Sequence, residues 1–464
     1  MYIANSNFPD KYDTLRFAIF GKASGEQLMD TPVNAQLETV LFSVLVQLIL
    51  IIAAARLVGF VFRRYLGQPQ VCGEIAAGLL LGPSFLGGFS PALFQQVFPA
   101  SVSPIFSVLS QLGLILLMFL IGLEFDFGHL RSNGRAALAI SLAGILLPFG
   151  LGLVVGRVVH AELNLEVNRL GFCLFMAVAL SITAIPILGR IMVEFNIQRT
   201  RLGCLTISAA AVDDAAGWIL LALVSAIVRA QVDPRGILQT VLGTVAFGLA
   251  MVFVVRPLVR RWSRSVLQKG GGELSLGALA GILICVFVSA AITNRIGIFS
   301  IFGGFLVGAI LHDQEELRQA IFRRMRDFVT VFFLPIFFTY TGLRTDIGAM
   351  QGTLLWALCG LVLLAAFVGK FGGCSAAALL SGFSTREASL IGIMMNTRAL
   401  MELIVINVGY DLGIIPQNVF FMLVFMAVVT TYMTAPLLRR LISRTELEPH
   451  FAVSSFAKQA RLPD

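Results

Sequence analysis

SAAAVDDAAGW, residues 208–218, lies in the middle of an apolar run from about residue 203 to residue 230. A run of that length and hydropathy spans a bilayer as a helix. Asp213 and Asp214 therefore stand side by side at membrane depth. A carboxylate there is costly and is kept for a task. Two adjacent ones share protons, bind cations or pair with a base. Neighbouring residues on a helix point about 100° apart, so one can meet a base while the other faces a cavity. Ser208, Ala209, Ala210, Ala211, Ala215, Ala216 and Gly217 surround the pair with small side chains. Such residues allow close helix approach, or leave room for water and an ion.

The rest of the chain fits the same solvent. Of 464 residues, 57% are hydrophobic and 13% charged, with mean hydropathy +0.88. A soluble protein carries about 25% charged residues. Spanning-length apolar segments fall at 39–62, 71–87, 104–125, 136–159, 171–191, 203–230, 236–256, 274–293, 297–311, 327–343, 354–381, 386–407 and 417–438. Strand-length alternation is absent, and backbone groups in lipid must satisfy one another, so these are helices. The expected fold is an all-α polytopic membrane protein of about 13 transmembrane helices. A polar N-terminal arm (1–38) precedes the transmembrane domain (39–438), and a short tail (439–464) follows it. Loops after odd-numbered spans and the tail, counted with the span ends that adjoin them, hold 22 Lys and Arg against 9 on the other side. That excess puts the C-terminus in the cytoplasm and the N-terminus outside, in a bacterial plasma membrane or an equivalent internal membrane. The net charge of +8 reflects these loops rather than a nucleic-acid partner; membrane lipid is the expected surrounding. Six scattered cysteines without CxxC spacing and four single histidines suggest neither a disulfide frame nor a transition-metal site. No cofactor is expected.

An internal repeat organises the spans. Residues 115–126 read ILLMFLIGLEFD and residues 335–346 read PIFFTYTGLRTD; both end a span with Gly-Leu-x-x-Asp, 220 residues apart. The same offset carries 136–159 onto 354–381, 171–191 onto 386–407 and 203–230 near 417–438. The intervening span 236–256 starts the second copy on the opposite side, so the copies are inverted. Inverted repeats with substrate bound at their midplane interface mark secondary transporters.

Four acids lie well inside spans (Glu74, Asp213, Asp214 and Glu402), together with two bases, Lys370 and Arg398. Lys370, in LLAAFVGKFGGC, is the single lysine at membrane depth, and an acid of the 203–230 helix is its expected partner. Ser181-Ile182-Thr183-Ala184-Ile185-Pro186 and Asn396-Thr397-Arg398-Ala399 occupy matching places in the two repeats. Pro186 frees backbone groups. The two stretches read as broken helices crossing near the aspartates, with unwound carbonyls and the Thr183 hydroxyl completing a cation's oxygen shell. A plain proline kink is the competing reading. Glu402 lies four residues after Arg398, on one helix face, and reads as a structural pair supporting the second break. Glu74 reads as an interfacial or interdomain contact. Arg318, Arg323, Arg324 and Arg326 form one face of a cytoplasmic amphipathic segment. An intramembrane aspartyl protease also uses two membrane aspartates, but on separate helices and with a Gly-x-Gly-Asp stretch; no Gly-Asp dipeptide occurs.

With these residues in hand, the chain resembles the monovalent cation:proton antiporter family 2. GQPQVCGEIAAGLLLGPSFLG, GLILLMFLIGLEFD, SITAIPILGRIM, AAVDDAAGWILLALV, IFSIFGGFLVGAIL, FLPIFFTYTGL and MNTRALMELIVINVGYDLGIIP carry the resemblance over residues 67–416. It implies a core domain (about 104–230 and 327–438) bearing the crossed helices, a dimerisation domain, a homodimer and elevator-like alternating access. It implies that Asp214 binds sodium and protons in turn, that Asp213 pairs with Lys370, and that exchange is electrogenic. Sodium or lithium exchange for protons is the expected activity, with potassium exchange or efflux as the alternative. The chain departs from the family at Ala399, where glycine is commoner, and at Asn294, where an acid is commoner. Potassium-efflux relatives carry a nucleotide-binding domain; none is expected in the tail.

Overall fold

The computed structural model describes residues 33–68, 70–124, 134–229, 234–269, 274–398, 400–443 and 445–454. Most of the N-terminal arm, His129, Asp126 at the end of the first repeat motif, Ala399 and the last ten residues lie outside them. Every expected span falls on helix. Helix α1 is Val33–Arg64, α2 Gln70–Leu81, α3 Ser103–Glu124 and α4 Gly134–Glu162. The fifth span is two pieces, α5 (Arg169–Ser181) and α6 (Ile185–Glu194). Then come α7 (Arg201–Arg229), α8 (Pro234–Ala250) running through a π-turn at Met251–Val255 into α9 (Arg256–Lys269), α10 (Leu276–Ile296) and α11 (Ser300–Leu311). Helix α12 (Glu315–Phe328) joins α13 (Leu334–Leu343) through a second π-turn at Val329–Phe333. Helix α14 is Thr353–Leu380, the twelfth span splits into α15 (Thr385–Met395) and α16 (Leu400–Asp411), and α17 is Gln417–Leu441.

Among the described residues, ten helical runs are long and apolar enough to cross a membrane, counting α2 as continued to Phe89 and α8–α9 and α12–α13 as each joined through its π-turn. The α15–α16 pair, bent by 42°, adds one span, and the shorter apolar helices α5 and α11 mark the remaining two. The boundary between the eighth and ninth spans comes at Gly297, whose φ of 101° closes α10 in the left-handed region. A residue without a Cβ takes that conformation at no steric cost. At the start of α15, Ser384 and Glu387 form a reciprocal capping box.

Packing sorts the helices into two layers. Helices α4 to α7 pack with α14, α15 and α17, while α1, α2, α3, α10, α11 and α13 pack among themselves. Helices α3 and α13, grouped with the core on sequence, thus have their main partners in the second layer: α3 lies against α11, and α13 against α2. Glycine permits both approaches. A Cβ on Gly342 of α13 would stand 2.2 Å from the Gly78 backbone of α2. Within the first layer, a Cβ on Gly152 of α4 would stand 2.5 Å from the backbone of Ala177 in α5. The sequence repeat is visible in space: α4–α7 and α14–α17 each have one long helix, one broken span and a closing helix.

Candidate ion-binding site

Two helices stop at membrane depth. Helix α5 ends at Ser181, leaving its last carbonyls without intrahelical partners, and Pro186 in the first turn of α6 supplies no amide hydrogen. Helix α15 ends at Met395, and α16 resumes at Leu400. The unwound stretches cross and bond to each other. The Ala184 amide donates to the Thr397 carbonyl at 2.9 Å, and the Thr183 hydroxyl donates to the Met395 carbonyl at 2.8 Å.

Two cations cover the open end of α5. Arg398 donates to the carbonyls of Ala179 (3.0 Å), Leu180 (2.6 Å) and Ala366 (3.1 Å), and to Glu402 Oε2 at 3.2 Å. Lys370, on α14, donates to the Ser181 carbonyl and, at 2.9 Å, to that of Gly144. Positive charge at a helix C-terminus complements its dipole. The freed carbonyls expected to face an ion are therefore largely engaged by Arg398 and Lys370. Ser181 turns its hydroxyl back to the Val178 carbonyl at 2.9 Å. Asn396 donates its amide to the Gly392 carbonyl, while its buried side-chain Oδ1 has no partner among the described residues.

Helix α7 brings its two aspartates to this crossing in unequal states. Both Asp213 oxygens accept from Lys370 Nζ, at 2.8 and 3.0 Å, and the pair is completely buried. Thr183 also faces the Asp213 carboxylate. Asp214, equally buried, has neither oxygen hydrogen-bonded among the described residues. The indole of Trp218, one turn on, turns toward it without making a hydrogen bond. Trp218 in turn meets Phe302 of α11 edge-on at 5.3 Å, so this face of α7 looks toward the second layer.

A cavity of about 690 Å³ opens between the layers. Ile185 and Leu400, the first residues after each break, line it, as does Ile207, two turns before Asp214 on the same face of α7. Glu74, Phe338 and Arg326 line its other wall. Glu74 accepts from Gln70 Nε2 at 3.2 Å and lies 3.8 Å from Arg56. Among the described residues no cluster of three His, Cys, Asp or Glu side chains suits a tightly held metal.

The transmembrane sodium/hydrogen exchanger family profile matches residues 39–440. The chain belongs to the sodium/hydrogen exchanger family. It is a multi-pass cation/proton antiporter, not an enzyme. It is 43% identical to the Na⁺/H⁺ antiporter NhaS4 of Synechocystis, over 86% of this chain and 96% of that one. It is 38% identical to cation/H⁺ antiporter 18 of Arabidopsis thaliana over 84% of this chain, and 31% identical to K⁺/H⁺ antiporter 1 of Saccharomyces cerevisiae over 80%. It spans only 48% and 43% of those two relatives. In fold it matches the sodium proton antiporter MjNhaP1 of Methanocaldococcus jannaschii, with a TM-score of 0.59 and 15% identity. That match covers 89% of this chain and 99% of the other.

Some partners at the crossing escaped the sequence reading. On α17, Thr431 Oγ1 accepts from the Arg398 amide at 3.2 Å, and Thr434 meets the Thr397 hydroxyl at 3.3 Å. The available signal was Thr430, Thr431 and Thr434, one polar stripe at helical spacing inside an apolar span.

Proposed function

We propose that this antiporter exchanges sodium for protons at Asp214, with lithium as a second substrate. The observation that supports this reading most is the contrast within the doublet. Asp213 is held by Lys370, while Asp214 is fully buried with both oxygens unpartnered. An anion without hydrogen bonds is costly in a dry interior. Such a carboxylate is relieved by a proton or by a cation, and the two compete for the same oxygens. Sodium, a hard cation, takes oxygen ligands, and the Thr183 hydroxyl keeps lone pairs to offer beside the carboxylates.

Sodium arriving at Asp214 brings a second positive charge next to Asp213. It loosens the Lys370 pair, and one proton leaves from Lys370 in addition to the one displaced from Asp214. Two protons then move against one sodium ion, which makes the exchange electrogenic. The layer of α4–α7 and α14–α17 carries the site and slides, elevator-like, past the layer of α1–α3 and α10–α13. The second layer forms the homodimer contact. The N-terminus faces outside and the C-terminus the cytoplasm, by loop charge.

The test is sodium-driven proton movement in proteoliposomes, followed with a pH-sensitive dye. Asp214→Asn should abolish it, and full exchange by that variant would sink the assignment. A potassium/proton exchanger is the second reading, favoured by the yeast relative's name. Sodium, lithium and potassium given in turn decide between them: dye recovery with potassium alone would replace the first reading.

A further inference from the structure

The end of the interlayer crevice opposite the 690 Å³ cavity is held shut by a polar clasp centred on Arg344. This residue follows the last turn of α13, in the second layer. Its guanidinium meets Asp411 Oδ1 at 2.7 Å and Asn407 Oδ1 at 3.1 Å, both on α16 of the first layer. It also bonds to the Tyr340 hydroxyl and stands over the rings of Tyr340 and Tyr410, 4.1 and 5.4 Å from their centroids. A second tie runs beside it, from Asn407 Nδ2 to Thr341 Oγ1 at 2.8 Å. A third joins Gln417 of α17 to the Arg344 carbonyl, and Gln417 itself accepts from the Tyr410 hydroxyl at 2.6 Å.

Chain direction puts Arg344 and Asp411 at one membrane face and the Gln198 rim of the large cavity at the other. A smaller pocket of about 250 Å³ adjoins the clasp, lined by its Tyr340, Arg344, Asn407 and Asp411 and by Ser110, Asn294 and Ser300. The same crevice is thus open at one end and tied at the other by groups from both layers. We propose that the Arg344–Asp411–Asn407 clasp is the gate on that face: it must break for the small pocket to deepen toward Asp214, and it sets how often the outer face opens. Arg344 touches neither the ion nor Asp214, so it is a positioning residue. The inference rests on alternating access as proposed above.

The direct test is a reversible lock in proteoliposomes. Thr341→Cys with Asn407→Cys is oxidised, and disulfide formation is checked by mass. Sodium-dependent proton exchange should fall at least tenfold and return with reductant. Undiminished exchange by the crosslinked protein overturns the gate. A second arm does not depend on that double variant. Ser300→Cys is labelled from outside with a membrane-impermeant maleimide, against the wild-type chain as baseline. Adding Arg344→Gln should speed labelling severalfold; an unchanged rate also overturns the gate. Absence of exchange in the wild-type chain would instead count against the proposed transport reading and leave the labelling arm to judge the clasp.

Discussion

Lys370 has more acceptors than protons. Its three ammonium hydrogens serve both oxygens of Asp213, the Gly144 carbonyl and the Ser181 carbonyl. It is at once the counter-charge of the doublet and the cap of a broken helix. Removing one partner of a buried pair leaves an uncompensated charge, at a cost of about 3–5 kcal/mol. Lys370→Met should therefore lower thermal stability in detergent by that order. Lys370→Met with Asp213→Asn removes both charges and should recover most of the loss, because two neutral partners leave little to compensate. If the double variant melts no higher than Lys370→Met, the pair is not what holds this site together. Arg398 gives a parallel case. Its planar fork reaches three carbonyls and Glu402 together, a geometry an ammonium does not reproduce. Arg398→Lys should cost about 1–3 kcal/mol for each buried group left without a partner. Glu402→Gln, which leaves the three carbonyls capped, should cost less; equal melting temperatures would refute that ordering. That Lys370 meets an acid of α7 was readable in sequence, because a single membrane lysine needs an anion; that the acid is Asp213 came only from the family resemblance. The carbonyls that Arg398 caps were not, since nothing in a linear pattern says which helix end a long side chain will reach.

Helix–helix contacts make a different demand, because they depend on what is missing from a side chain. Helices α2 and α13 meet through Gly78 and Gly342, where an added Cβ would lie 2.2 Å from backbone. Gly342→Ala must push the two helices apart, and overpacking of that kind costs about 1–3 kcal/mol or more. Gly360, on α14, has nothing within 4 Å of a built Cβ. Gly360→Ala should be neutral or gain up to about 1 kcal/mol of helix propensity. Detergent melting of both variants checks the contrast, and a Gly342→Ala protein as stable as wild type would mean the two helices are free to move apart. The existence and order of the helices were legible because lipid demands long apolar runs. The break after Ser181 was legible from Pro186. The break after Met395 has no proline and was inferred from its repeat partner, which it matches. The π-turns at Met251–Val255 and Val329–Phe333 had no signal, because one extra residue in a turn leaves hydropathy unchanged. The layer membership of α3 and α13 escaped for a related reason: period and hydropathy report burial, but not which neighbour does the burying.

Across the whole molecule, the charge carried per cycle follows from whether Lys370 gives up its proton. If sodium displaces one proton from Asp214 alone, the exchange is neutral. If it also frees one from Lys370, each cycle moves one net charge, and a membrane potential of 100 mV acts on it with about 2.3 kcal/mol. That is enough to drive the exchange without any chemical gradient. Proteoliposomes holding equal sodium and equal pH on both sides, given an interior-negative potential with potassium and valinomycin, should therefore take up protons and expel sodium. Potassium transport by the protein itself would confound the readout, so the ion-selectivity assay comes first, and choline with a proton ionophore replaces potassium if needed. Asp213→Asn with Lys370→Met keeps Asp214 but removes the second proton. Any exchange that double variant retains should ignore the potential. Wild-type exchange indifferent to the potential would mean one proton per sodium ion, carried by Asp214, and would leave Lys370 a purely structural cap of α5.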